Sequence, residues 1–141
     1  MVMQILQTKG NAVWTIDPRK TVYEALKLMA DKGIGALIVV EAGKVVGIFS
    51  ERDYARKVIL EGRASKETLV EDIMTERVVG VNMDTTVDVC MQLMTEGHFR
   101  HLPVMEGDKL IGVVSIGDVV KSIIMEQGHL IEQLENYILG R

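Results

Sequence analysis

Sliding the chain against itself by 65 residues lays residues 21–58 on residues 86–123 without a gap. Identical pairs run from Thr21/Thr86 and Val22/Val87 through Leu28/Leu93, Met29/Met94, Leu37/Leu102 and Val39/Val104. Gly47/Gly112, Ser50/Ser115 and Asp53/Asp118 complete the series. Where the pairs differ, apolar mostly meets apolar, as in Ala25/Cys90, Ile34/Phe99, Val46/Ile111 and Phe49/Val114. A self-match at one fixed offset is the mark of a supersecondary unit used twice. A unit of about 60 residues buries too little apolar surface to be stable alone. Two copies facing each other across a pseudo-twofold axis complete one core. At 141 residues, 48% hydrophobic and 26% charged, the chain has the apolar mass for one such domain.

Each copy carries the same grammar. Val22, Ala25, Leu26 and Met29 fall at i, i+3, i+4 and i+7, the stripe of an amphipathic helix. Thr21 with Glu24 reads as a capping box at its start, and Gly33 as its stop. A buried-type strand at 36–40, a turn at 41–44 and a strand at 45–49 follow, and Ser50 opens a helix to about Glu61 that Gly62 ends. The second copy predicts a helix at 87–96, strands at 102–105 and 110–114, and a helix from about Ile116. With short extended segments at 12–16 and 78–82, the unit is β-α-β-β-α and the fold class α/β in the α+β sense. The first repeat is expected over 7–62, a connector over 63–71, the second repeat over 72–126 and a helical extension over 127–141. From Ile123 into that extension, Leu130, Leu134, Tyr137 and Ile138 keep a helical stripe, which either folds back on the domain or forms a dimer contact.

Charge and cysteine content narrow the setting. Sixteen Lys and Arg against 20 Asp and Glu give net −4, against broad nucleic-acid binding but not against a local anion site. One cysteine makes no internal disulfide, and no C-x-x-C pair is present, so a reducing compartment is expected. The first residues lack the charged start and apolar run of a signal peptide. The longest apolar stretch, 34–40, is far short of the roughly 20 residues of a membrane span. A soluble, cytoplasmic chain without membrane contact is the expectation.

The repeated Gly-x-x-Ser-x-x-Asp elements, Gly47-Ile48-Phe49-Ser50 to Asp53 and Gly112-Val113-Val114-Ser115 to Asp118, resemble those of a tandem pair of cystathionine β-synthase (CBS) domains. Phe99-Arg100-His101-Leu102-Pro103-Val104 is similar to the corresponding stretch of a second repeat in such pairs. The likeness covers about residues 7–126, and the chain resembles the small stand-alone CBS proteins. That resemblance implies a regulatory module binding AMP, ADP, ATP, NAD or a related adenosyl ligand between the repeats, with no cofactor required. It also implies a homodimer shaped as a flat disc, for which Val119, Val120, Ile123 and Ile124 offer apolar helix surface.

Each Ser-x-x-Asp has two readings. It is a helix capping pattern in its own right. It also suits a nucleotide, because a carboxylate accepts hydrogen bonds from both ribose hydroxyls and a Ser at a helix start reaches phosphate. By resemblance, Asp53 and Asp118 hold ribose, with Ser50 and Ser115 nearer the phosphate. Arg100 and His101 stand in the segment resembling a phosphate-facing loop, with Leu102 and Pro103 beside them. The first copy carries Gly35 and Ala36 there, while its Arg52 corresponds to Gly117, so the two sites are expected to be unequal. Asp118 is expected to matter more than Asp53, since its own repeat carries Arg100 and His101. Ile16, Leu37, Val81 and Leu102 are candidates to sandwich adenine, or are simply core.

Other chemistry is set aside. His98 and His101 lack further ligands for a metal. Cys90 lies on a buried-type stripe, Gly33-Ile34-Gly35 lacks a third glycine and follows a helix, and the charged run 50–57 reads as a solvated helix face. No base–nucleophile constellation points to an enzyme. Two functions remain: a nucleotide-sensing module that regulates an unidentified protein partner in trans, or a ligand-free dimerisation scaffold.

Overall fold

The structure is a computed structural model describing residues 1–140. The twofold grammar is present in it, register for register. Strand β2 (Ala36–Glu41) runs antiparallel to β3 (Lys44–Ser50), with Ala36 opposite Ser50 and an irregularity at Val39/Val40. Strand β4 (His101–Glu106) pairs with β5 (Lys109–Ser115) in the same way, His101 opposite Ser115 and the irregularity at Val104/Met105. A two-residue β1 (Thr15–Ile16) adds in parallel to β2, placing Ile16 beside Val39. Its counterpart in the second unit is a single parallel bridge between Val81 and Val104.

The helix after each first strand is capped as its sequence suggests. In α2 (Val22–Lys32) the Thr21 hydroxyl accepts from the Glu24 N–H at 3.2 Å, and Val22, Ala25 and Met29 are buried. The reciprocal half of the expected box does not form, because the Glu24 carboxylate lies 3.6 Å from Lys20 Nζ instead. The helix stops at Gly33, at φ +65°, where the absent Cβ removes the left-handed penalty. Helix α5 (Val87–Gly97) repeats the pattern behind Thr86, but its stop is His98, at φ +57°. The helix expected from Ser50 to about Glu61 is α3 (Glu51–Tyr54), widened into a π-helical turn over Ala55–Ile59. There the Leu60 N–H donates to the Ala55 carbonyl, Val58 is fully buried, and Lys57 Nζ donates to the Ile73 carbonyl.

Two further helices couple the units. Helix α1 (Val2–Lys9), in a stretch where no element is expected from the sequence, buries Val2, Ile5 and Leu6 in the core of the second unit. Helix α4 (Val70–Ile73) follows the connector and buries Val70 and Ile73 in the core of the first. The backbone repeats the exchange: Val2 N–H donates to Thr85 O at 2.9 Å, and Val70 N–H to Lys20 O at 2.8 Å. Thr85 and Lys20 are themselves 65 apart. Each repeat therefore lends the segment before its own β-strand to the other repeat.

That crossing explains the repeated glycine. A Cβ on Gly47 would lie 2.6 Å from Met74 Sδ and 3.1 Å from the Thr75 carbonyl, and one on Gly112 would lie 2.8 Å from Leu6 Cδ1. Both strands must be bare where the lent segment passes. The chain ends in α6 (Ile116–Leu139), continuous through Gly128 for 24 residues. Val119, expected on a dimer surface, is instead fully buried in the chain's own core, and Ile123 packs against that core, because both face α5 and the sheet. Val120 and Ile124 remain exposed. Among the described residues no helix is long and apolar enough to cross a membrane.

Candidate functional site

The ends of β3 and β5 and the helices they feed point toward the middle of the molecule, where the two units meet. Both Ser-x-x-Asp elements form full capping boxes there. Asp53 Oδ2 accepts from the Ser50 N–H at 3.0 Å and the Ser50 hydroxyl at 3.1 Å, while Ser50 Oγ accepts from the Asp53 N–H. Asp53 Oδ1 accepts from the Thr75 hydroxyl at 3.1 Å, with Lys57 Nζ at 3.4 Å. Asp118 Oδ2 accepts from the Ser115 N–H at 2.9 Å and from Lys9 Nζ at 2.7 Å. Lys9 also donates to the Val113 carbonyl, pinning α1 to the second box. Burial alone would raise the Asp118 pKa, but the Lys9 ammonium and the Ser115 donors outweigh it and hold the carboxyl below its ordinary value.

A cavity of about 320 Å³ opens over the first box. Ser50, Arg52 and Asp53 line it from the first unit, and Arg77, Arg100 and His101 from the second. Arg56, Lys57 and Thr75 complete the polar wall, and Ile48, Val79 and Phe99 form the apolar one. Five Lys and Arg side chains thus face two carboxylates, Glu51 and Asp53. Of the five, Lys57 is paired with Asp53, while Arg52, Arg56, Arg77 and Arg100 make no ion pair among the described residues. The crowding is energetic as well as geometric: Arg100 foremost, then Arg56, push the Arg52 pKa down. Uncompensated guanidinium groups around one concavity have the charge and forked donors that suit a multiply charged anion. Beside them His98 holds its left-handed backbone, a conformation costing roughly 1–2 kcal/mol for a side chain with Cβ and concentrated at functional sites.

The pseudo-twofold mate of this cavity, about 200 Å³, is different in kind. Ser115 stands where Ser50 does and Val113 where Ile48 does, but Ala12, Gly35 and Ala36 replace Arg77, Arg100 and His101. Trp14 takes the place of Val79, and Lys32 Nζ lies 4.3 Å from its ring centroid. Among the described residues no Lys or Arg lines this second cavity. Gly35 and His101 border both cavities. Burial, then Lys9 and Arg100, lower the His101 pKa against an opposing pull from Asp118.

Several expectations change here. Arg100 and His101 line one cavity with Asp53 of the other repeat and not with Asp118, because the crossing helices set each box opposite the loop of the opposite unit. Asp118 lies outside both cavities and lines a separate groove between α1 and α6. Ile16, Leu37, Val81 and Leu102 are at most 9% exposed and belong to the two cores, pointing inward from their strands, so none is placed to sandwich a base. Pro103 is buried within β4, its carbonyl accepting from the Val81 N–H. The charged run 50–57 is not simply solvated: Arg52, Arg56 and Lys57 face the cavity. The sequence offers no direct pointer to Thr75, Arg77, Trp14 or Lys9, and His98 enters there only as a metal candidate. A signal existed for Arg77, since its partner at the offset of 65 is Ala12.

Comparison with known proteins gives the same architecture. The CBS domain family matches residues 6–60 and 70–125. The CBS domain-containing protein CBSX3 of Arabidopsis thaliana, a mitochondrial protein, is 42% identical over 99% of this chain and 72% of its own length. A protein with CBS domains from Burkholderia ambifaria is 54% identical, with a TM-score of 0.85 over 89% of this chain and 95% of that one. The CBS domain pair of protein MJ0100, solved in complex with 5′-methylthioadenosine and S-adenosyl-L-methionine, is 25% identical, with a TM-score of 0.78 over 89% of this chain and 97% of that one. With its two interlocked repeats and one Ser-x-x-Asp box at the mouth of each, the chain belongs to the CBS domain family.

Proposed function

We propose that the chain is a regulatory module that binds an adenosine nucleotide in the cavity between Asp53 and Arg100 and passes its occupancy to a protein partner in trans. The observation that carries this reading is the set of four unpaired arginines around a single concavity. Phosphate oxygens suit their forked donors, and the Ser50 box presents the start of a helix to the same space. Phe99, Val79 and Ile48 supply apolar contact for the nucleoside. The adenosyl ligands of the MJ0100 pair support the ligand class; AMP, ADP, ATP and NAD all carry the phosphate that this cavity favours. A homodimer in disc form is part of the same reading, supported by the exposed Val120 and Ile124, and the cytoplasm is its proposed location. Ligand binding then acts by shifting the angle between the two repeats or the two protomers.

Calorimetric titration of the parent and of Arg100→Ala with AMP, ADP, ATP, NAD and S-adenosylmethionine tests the reading. Arg100 is exposed and makes no ion pair, so its removal leaves the fold intact. The parent binds at least one phosphate-bearing ligand, and the variant binds it tenfold or more weakly, about 1.4 kcal/mol. Absence of binding by the parent at millimolar ligand overturns the proposal and leaves the self-satisfied capping boxes to a scaffold.

A further inference from the structure

Among the described residues, α6 leaves one apolar stripe uncovered along most of its length. Val120, Ile124, Ile131, Leu134 and Ile138 are 41%, 62%, 56%, 52% and 77% exposed. With Gly117 and Gln127 they alternate spacings of three and four along the helix, the seam of a coiled coil. We propose that this seam is covered by the same helix of a second copy, running antiparallel, with the twofold axis near residue 129. The inference rests on the dimer reading above and adds its interface and polarity.

Three observations fix the occupant and its direction. The apolar stripe is continuous from the domain's edge to the helix end, so a second α6 of about 36 Å covers it from Val120 to Ile138. Antiparallel pairing in this register sets Val120 against Ile138 and Ile124 against Leu134 of the other copy, with a Gln127–Ile131 layer on each side of the axis. The flanking charges match only in this direction. Lys121 is the one Lys or Arg of α6, beside Asp118, Glu126, Glu132 and Glu135. Antiparallel pairing lays Lys121 on Glu135 of the second copy, whereas parallel pairing leaves Lys121 without an acidic partner. Gly128 falls at the crossing, where a Cβ would meet nothing within 4 Å of its own chain.

Charge reversal tests the contact without touching the core. Lys121 and Glu135 are both exposed and 14 residues apart, about 21 Å along one helix, so they cannot meet within a chain. Sedimentation at several concentrations should give a dimer for the parent. Lys121→Glu should weaken dimerisation tenfold or more, and adding Glu135→Lys in the same chain should restore it to within about threefold, by exchanging the charges of an intermolecular pair. Ile131→Asp should yield monomers with unchanged helix content by circular dichroism. A dimer insensitive to all three variants places the interface elsewhere and overturns the inference while the dimer reading stands. A monomeric parent overturns both and assigns the stripe to a different protein. Weakening without rescue by the double variant rejects the antiparallel register.

Discussion

The two half-clefts are built from one sequence pattern and have become opposites. Both start at a Ser-x-x-Asp box behind a glycine, and both receive a segment lent by the other repeat. Over the first box that segment brings Thr75 and Arg77, and the facing loop brings Arg100 and His101. Over the second, the positions of Arg77, Arg100 and His101 hold Ala12, Gly35 and Ala36, and a lysine of α1 closes on the aspartate. A handful of side chains, Arg52, Arg77 and Arg100 foremost, therefore separates an arginine-lined cavity from a small, largely apolar one without altering the backbone register. Duplication supplies the scaffold, and a few substitutions at corresponding places supply the specialisation.

The largest expected difference between the halves concerns their glycines. Gly47→Ala forces a Cβ against both Met74 and the Thr75 carbonyl, and should cost about 1–3 kcal/mol as overpacking. Gly112→Ala meets Leu6 first, whose side-chain end can turn away, and should fall at or below the lower limit. Denaturant midpoints measure both; equal losses would mean that the two crossings are equally rigid.

A smaller effect separates the helix stops. Exchanging His98 for Gly should stabilise the apo protein by about 1 kcal/mol, because the left-handed φ no longer strains a Cβ. Gly33→His should lose a similar amount, since Gly33 has the same backbone without the strain-bearing side chain. A midpoint for His98→Gly at or below the parent's would show that His98 makes compensating contacts.

The smallest effect concerns the ion pair that distinguishes the second box. A carboxylate whose folded pKa is depressed contributes stability above its unfolded value near 3.9, and that contribution is lost as pH falls through the folded value. Lys9→Met removes the ammonium that depresses Asp118, so the acid unfolding midpoint should move to higher pH. At pH 7 the loss should stay below about 1 kcal/mol, because the side chains of Lys9 and Asp118 remain 33% and 23% exposed. An unchanged acid midpoint would make the pair irrelevant to folding.

Periodicity and self-similarity are local properties, and the sequence by itself determined what depends on them: the repeat, the α2 and α5 stripes with Thr21 and Thr86 as caps, the paired strands and the Ser-x-x-Asp boxes. The inequality of the sites was also legible, because Arg100 opposite Gly35 and His101 opposite Ala36 can be compared along the chain. Only the tertiary structure decided which groups share a cavity. Arg100 comes to share a cavity with Asp53, and α1 brings Lys9 onto Asp118, juxtapositions that span 47 and 109 positions and leave no periodic trace. It also decided that Ile16, Leu37, Val81 and Leu102 are core and that Val119 is buried, because an apolar residue on a strand or helix declares its face but not what that face will meet.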